Sequence, residues 1–189
     1  NNMELTLVYT IIGFGLAGYS VIANDSIQTL GTFIASKQKW FKWYTLASAA
    51  SLVMIFAITW GWYSYDGDIS YGRLTRIPYQ EIQWYHAVAP AILLVLTRIG
   101  IPVSTTFLVL SAFASTLVLE KMLVKSIVGY GIAATVAYFC WIAVSKFINE
   151  KFDEVKGEKW IAFWRNSVWV SSGWLWWVWL SHDVANIAV

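Results

Sequence analysis

The sequence predicts an all-α integral membrane fold in which polar residues break some helices and a re-entrant helical hairpin lies between them. Composition is the first observation behind this: 58% of residues are hydrophobic and 13% charged, against roughly 45–50% and 25% in soluble domains. The second is a series of long apolar runs without the inside/outside alternation of a barrel strand, which leaves helices as the way to satisfy the backbone in lipid. The third is a pair of polar strings inside those runs, Asn24-Asp25-Ser26-Ile27-Gln28 and His182-Asp183-Val184-Ala185-Asn186. Each places a carboxylate three residues before a carboxamide. A charged side chain within a span is disfavoured by roughly 3 kcal/mol, so one found there is a functional-site candidate.

Apolar runs fall at 5–23, 46–64, 86–99, 103–119, 127–148 and 167–181 when the chain is scanned with a window of about 19 residues. The first has no basic leader and no Ala-x-Ala cleavage site, so it is expected to be a retained span and not a secretory signal. It continues past its polar string through Ile27, Leu30, Phe33 and Ile34, which predicts a helix broken or unwound near Asn24. The last run continues likewise through Val184, Ile187 and Val189. Gly13, Gly15 and Gly18 would let a partner helix approach the first run closely.

Lys37, Lys39 and Lys42 follow the first span with no acid among them. By the positive-inside rule this loop is cytoplasmic and the N-terminus lies outside. The 65–85 connection is then external, and the two middle runs return the chain to the outer side whether they cross or turn back. Lys146, Lys151, Lys156, Lys159 and Arg165 fall inside, so the segment carrying Asp183 runs opposite to the one carrying Asp25. Opposed copies of one motif are the signature of an inverted-repeat secondary transporter, whose interrupted helices meet near the midplane.

The runs 86–99 and 103–119 are each shorter than the roughly 20 residues a crossing needs, so they predict a hairpin over about 86–120. Its tip is Gly100-Ile101-Pro102-Val103-Ser104-Thr105-Thr106. Glycine and proline end the first arm, and three hydroxyls open the second. A helix start with unpaired N–H groups suits an anion, and Ser104, Thr105 and Thr106 add donors for an oxyanion such as phosphate or sulfate.

Together these strings resemble the Gly-Ala-Asn-Asp-Val-Ala-Asn-Ala and Pro-Val-Ser-Thr-Thr-His signatures of the inorganic phosphate transporter family. The matching residues are Ala23-Asn24-Asp25 with Gln28 and Gly31, Arg98 to Thr106, and Asp183-Val184-Ala185-Asn186. The resemblance implies sodium- or proton-coupled phosphate transport through two inverted repeats. It covers a first repeat over 1–148, a cytoplasmic linker over 149–166 and the start of a second repeat over 167–189. The C-terminal half is thus expected to be missing or supplied by a second chain. In this reading phosphate is bound by Asp25, Ser104, Thr105, Thr106, Asp183 and Asn186. The coupling cation is held by Asn24, Asp25, Gln28, His182 and Asp183, with sodium placed at Asp25 and Asp183, where carboxylate and carbonyl oxygens suit a hard cation.

Gln28 stands where the family has Asn, His182 replaces an Asn and Phe107 replaces a His. These departures motivate a carrier of another oxyanion, sulfate for example, or coupling to protons through His182. A non-transporting membrane subunit is a further alternative. An enzyme is not expected, since the chain carries no Walker loop, nucleophile elbow or cofactor fingerprint. No cofactor is expected beyond the coupling ion. The expected partners are inorganic phosphate and membrane lipid, with a homo-oligomer compatible, in a multi-pass cell-membrane protein. A formal charge of +2 gives no reason to expect nucleic acid. Cys140 is alone and reads as packing. Arg98 reads equally as an anion ligand or a snorkelling residue, His86 as an interface residue, and Trp169, Trp174, Trp176, Trp177 and Trp179 as belt and packing aromatics. The stretch from Glu150 to Lys159 reads as a solvated helix.

Overall fold

A computed structural model describes residues 2–76, 79, 81–101, 103–110, 112, 116–147 and 157–188. Pro102 and most of the Glu150–Lys159 stretch lie outside the described residues. Among those described, the regular structure is entirely helical: α1 (Asn2–Lys37), α2 (Trp43–Ser64), a 3-10 turn (Leu74–Arg76), α3 (Trp84–Ile99), α4 (Thr105–Leu110), α5 (Thr116–Phe147), α6 (Glu158–Asp183) and α7 (Ala185–Ala188). Among the described residues, three stretches are long and apolar enough to cross a membrane, Met3–Lys37, Trp43–Ser64 and Leu123–Lys146, and they fit a membrane protein.

Two compact units are present, Asn1–Ala114 with Ser171–Val189, and Ser115–Val170. The second holds α5, whose apolar stretch has none of its side chains buried. A helix apolar on all sides has the surface expected of a membrane span. It also holds an aromatic group in which Trp160 stacks on Phe163 and meets Trp164 edge-on.

The first unit carries the core in two clusters. Leu30, Ala57, Trp176, Leu180 and Val184 join α1, α2 and α6, and the Trp176 indole donates to the Ala50 carbonyl at 3.1 Å. Val21, Leu93 and Val109 join α1, α3 and α4, with Ile187 packed on them. A Cβ at Gly13 would lie 3.5 Å from Ala87 Cα, an ordinary van der Waals contact, so α3 runs beside α1 there without a glycine being required. Gly18 neighbours Ile187, whereas Leu30 packs with Leu180 and Trp176. Numbers rise along α1 as they fall along its partner, so α1 and the α6–α7 segment lie antiparallel.

The hairpin is formed by α3 and α4. Gly100 adopts φ +81°, the left-handed region glycine enters without a Cβ penalty. The amide of Ile101 reaches back to Leu96 O at 3.0 Å, ending α3 in a Schellman pattern. The described part of the second arm is α4, Thr105–Leu110; of the residues between it and α5 only position 112 is described.

Two other expectations change. α1 is continuous through Asn24 and is not broken there. The Asn24 amide is directed away from its own backbone to the Val103 carbonyl, so it does not compete with the helical ladder. The second polar string does interrupt its helix, at Val184 between α6 and α7. The last helix also begins earlier than the 167–181 run, at Glu158, inside the segment read as a linker.

The 65–76 loop folds back over this unit. Asp68 Oδ1 accepts from the Ser70 amide at 2.7 Å and from the Ser70 hydroxyl, and the Tyr71 hydroxyl donates to Ala57 O at 2.6 Å. Desolvation opposes the Asp68 charge, but hydrogen bonds from the Ser70 hydroxyl and from the Ser70, Gly72 and Leu74 amides outweigh it and hold the carboxyl below the usual range.

Candidate functional site

The two polar strings and the hairpin tip meet. Asp183 Oδ2 accepts from the Thr105 hydroxyl at 2.8 Å, and Oδ1 accepts a longer bond from Thr106 at 3.4 Å. Asn186 supports both threonines, its amide donating to Thr105 Oγ1 at 3.3 Å and Thr106 Oγ1 at 3.1 Å. Donation therefore runs from the amide through the hydroxyls to the carboxylate, an order in which each bond polarises the next. The break at Val184 allows this: Asp183 ends α6 and Asn186 sits in α7, both beside α4.

Asp25 completes the group from α1. It is 1% exposed, and neither carboxylate oxygen has a hydrogen-bond partner. Asp183, Trp179 and Asn24 are its polar neighbours. A buried carboxylate is ordinarily hydrogen-bonded or paired, so two orphaned oxygens beside a second acid mark a place built for something else. Asn186 Oδ1 and Thr29 Oγ1 are likewise buried without a partner. Thr29 is one turn beyond Asp25 on the same face of α1.

Not every predicted ligand joins this group. Asn24 and Gln28 both direct their amides to the Val103 carbonyl, at 3.1 and 3.0 Å, and Asn24 Oδ1 accepts from Thr97 at 3.3 Å. They clamp the hairpin tip onto α1. Ser104 Oγ accepts from the Phe107 amide at 3.3 Å, which makes it a helix cap. His182 is exposed, with Nδ1 beside Val178 O at 3.0 Å, and its carbonyl receives Arg73 Nη1 at 2.8 Å. Its ring is not brought to Asp25. The anion cradle expected at the start of the second arm also changes character. There Ser104 caps the helix and the Thr105 and Thr106 hydroxyls are engaged by Asp183 and Asn186, so the donors that an anion would use are hydroxyls and an amide. Arg98 is exposed in the last turn of α3, where its charge complements the helix end.

Thr97, Thr29 and the Val103 carbonyl belong to the neighbourhood without having been singled out, and Trp179, read as a belt and packing aromatic, stands beside Asp25. Thr29 was within reach of the i+4 spacing from Asp25, and Thr97 lies one turn before the glycine that ends α3. A backbone carbonyl leaves no mark in a sequence.

Comparison with protein-family models, with curated proteins and with solved structures finds no match for this chain.

Proposed function

We propose that the chain acts in cation-coupled transport of an oxyanion across a membrane, with inorganic phosphate the first candidate substrate and sodium or a proton the driving ion. The single observation that carries this reading is the buried Asp25 carboxylate, without a partner and beside an Asp183 that two threonine hydroxyls already grip. The resemblance of the three strings to inorganic phosphate transporters supports the choice of substrate.

The geometry suggests how the two bindings depend on each other. Asp183 occupies the hydroxyl donors that an oxyanion would use, so it stands in for the substrate. A cation settling between Asp25 and Asp183 draws the second carboxylate toward itself, relieves the repulsion between the acids, and releases Thr105 and Thr106 to the anion. Asn186 remains as a further donor. Each ligand then raises the affinity for the other, as linkage requires. Asn24 and Gln28 contribute by holding the tip in place.

Uptake of labelled phosphate into proteoliposomes under an imposed sodium or pH gradient tests the reading. Asp25→Asn is expected to reduce uptake at least about tenfold, the scale of a lost ligand charge of a kcal/mol or more. Gradient-independent uptake, or full activity in that variant, would sink it. Gln28 and His182 depart from the family pattern, and stronger competition from sulfate than from arsenate or unlabelled phosphate would reassign the substrate within the same mechanism.

A further inference from the structure

A second site lies apart from the acid cluster, where the C-terminal half of α1 meets the N-terminal half of α2. A groove of about 820 Å³ opens there, within the roughly 300–1,000 Å³ range of ligand pockets. Its walls are apolar, formed by Leu30, Phe33, Leu46, Ala50 and Met54, with Trp176 also lining it. Lys39, Lys42, Trp40 and Trp43 line the end made by the α1–α2 turn. Both lysines are exposed, and Trp40 and Trp43 are 82% and 79% exposed. Lys42 Nζ sits 5.7 Å above the Tyr44 ring, a cation–π distance that holds the ammonium near the groove.

Charge identifies the occupant. Lys39 and Lys42 are both exposed at this end, and from Ser26 to Tyr65 the chain carries no Asp or Glu, so the groove ends in two accessible cations. An aqueous passage for a small ion would not be walled with leucine, phenylalanine and methionine, and a neutral lipid would gain nothing from the lysines. Exposed tryptophans between an apolar wall and basic residues match the headgroup level of a bilayer, and basic pockets between spanning helices bind anionic headgroups. We propose that this groove binds one anionic phospholipid, an acyl chain lying along α1 and α2 and the phosphate held by Lys39 and Lys42. The site is independent of the transport reading and uses none of the residues assigned to it.

Native mass spectrometry of the purified full chain, titrated with phosphatidylglycerol and with phosphatidylcholine of identical acyl chains, tests this. Phosphatidylglycerol is expected to bind about tenfold or more tightly than phosphatidylcholine. The K39Q/K42Q double variant, altering two exposed side chains, should lower phosphatidylglycerol affinity about 25-fold, roughly fivefold per lysine, with unchanged helical circular dichroism. Ala47→Trp, which fills the groove and leaves the lysines alone, should weaken both lipids. A large excess of inorganic phosphate should leave the lipid bound. Equal binding of the two lipids overturns the proposal, as does phosphatidylglycerol binding that survives K39Q/K42Q. Displacement by inorganic phosphate overturns it in favour of a free-anion site, and a lipid-free dimer blocked by Ala47→Trp overturns it in favour of a second copy of the chain.

Discussion

Thr105 donates its hydroxyl to Asp183 Oδ2 at 2.8 Å, latching the hairpin tip to the end of α6 across 78 residues of sequence. Thr105→Val removes the donor while keeping the shape, and is expected to lower stability by about 1–3 kcal/mol. Thr105→Ser should stay close to the parent. Thermal unfolding in detergent compares them, and equal losses in the two variants would show that the hydroxyl is not what matters.

The orphaned oxygens of Asp25 predict an opposition between stability and function. Burying a carboxylate without partners is destabilising by several kcal/mol, so Asp25→Asn should melt no lower than the parent in cation-free buffer and should melt higher if the amide finds a partner. Added sodium, or protons if these drive the carrier, should raise the parent's Tm through linkage and leave the variant unmoved. A cation response that persists in Asp25→Asn would remove Asp25 from the site.

Gly100 and Gly61 are indispensable for different reasons. At Gly100 nothing lies within 4 Å of an added Cβ, but φ is +81°, so Gly100→Ala should cost about 1–2 kcal/mol in backbone strain alone. At Gly61 an added Cβ would meet the Tyr71 ring at 2.8 Å and Ile69 O at 3.0 Å, so Gly61→Ala should cost about 1–3 kcal/mol by overpacking and loosen the 65–76 loop. Hydrogen exchange of that loop separates them: it should quicken in Gly61→Ala and stay unchanged in Gly100→Ala.

The 65–76 loop should also respond to acid. Asp68 has a lower pKa in the folded protein than in the unfolded chain, so its contribution is complete above the ordinary carboxylate value of about 4 and is lost as pH falls through the lower folded value. Amide exchange of residues 66–74, corrected for its intrinsic pH dependence, should be flat between pH 7 and pH 5 and quicken below about pH 4. Asp68→Asn keeps an acceptor for the Ser70 amide and should abolish this response.

Much of the site could be read from residue order, and the reasons differ by residue. Asp25 and Asp183 stood out because a carboxylate in an apolar run is costly wherever its partner lies. The hairpin turn stood out because Gly100 lacks a Cβ and proline follows two residues later. The unbroken course of α1 was not legible, because Asn24 is equally able to end a helix or to reach across to another segment. Only the position of the Val103 carbonyl decides between these. His182 was misleading for the opposite reason: its neighbour Asp183 turns toward the threonines, and a side chain one residue away on a helix points elsewhere.

By itself the sequence determined that the chain is helical, that it carries long apolar runs fit for a membrane, and that Asp25 and Asp183 are exceptional within them. These properties follow from composition and local periodicity, which need no knowledge of what packs on what. Tertiary structure decided which helix would break, which amides would clamp the hairpin and which would serve the acids, and that Asp25 would be left without a partner. Hydrogen bonds between segments dozens of residues apart depend on direction to within a few tenths of an ångström, and that information exists only once α1, the hairpin and the end of α6 are packed together.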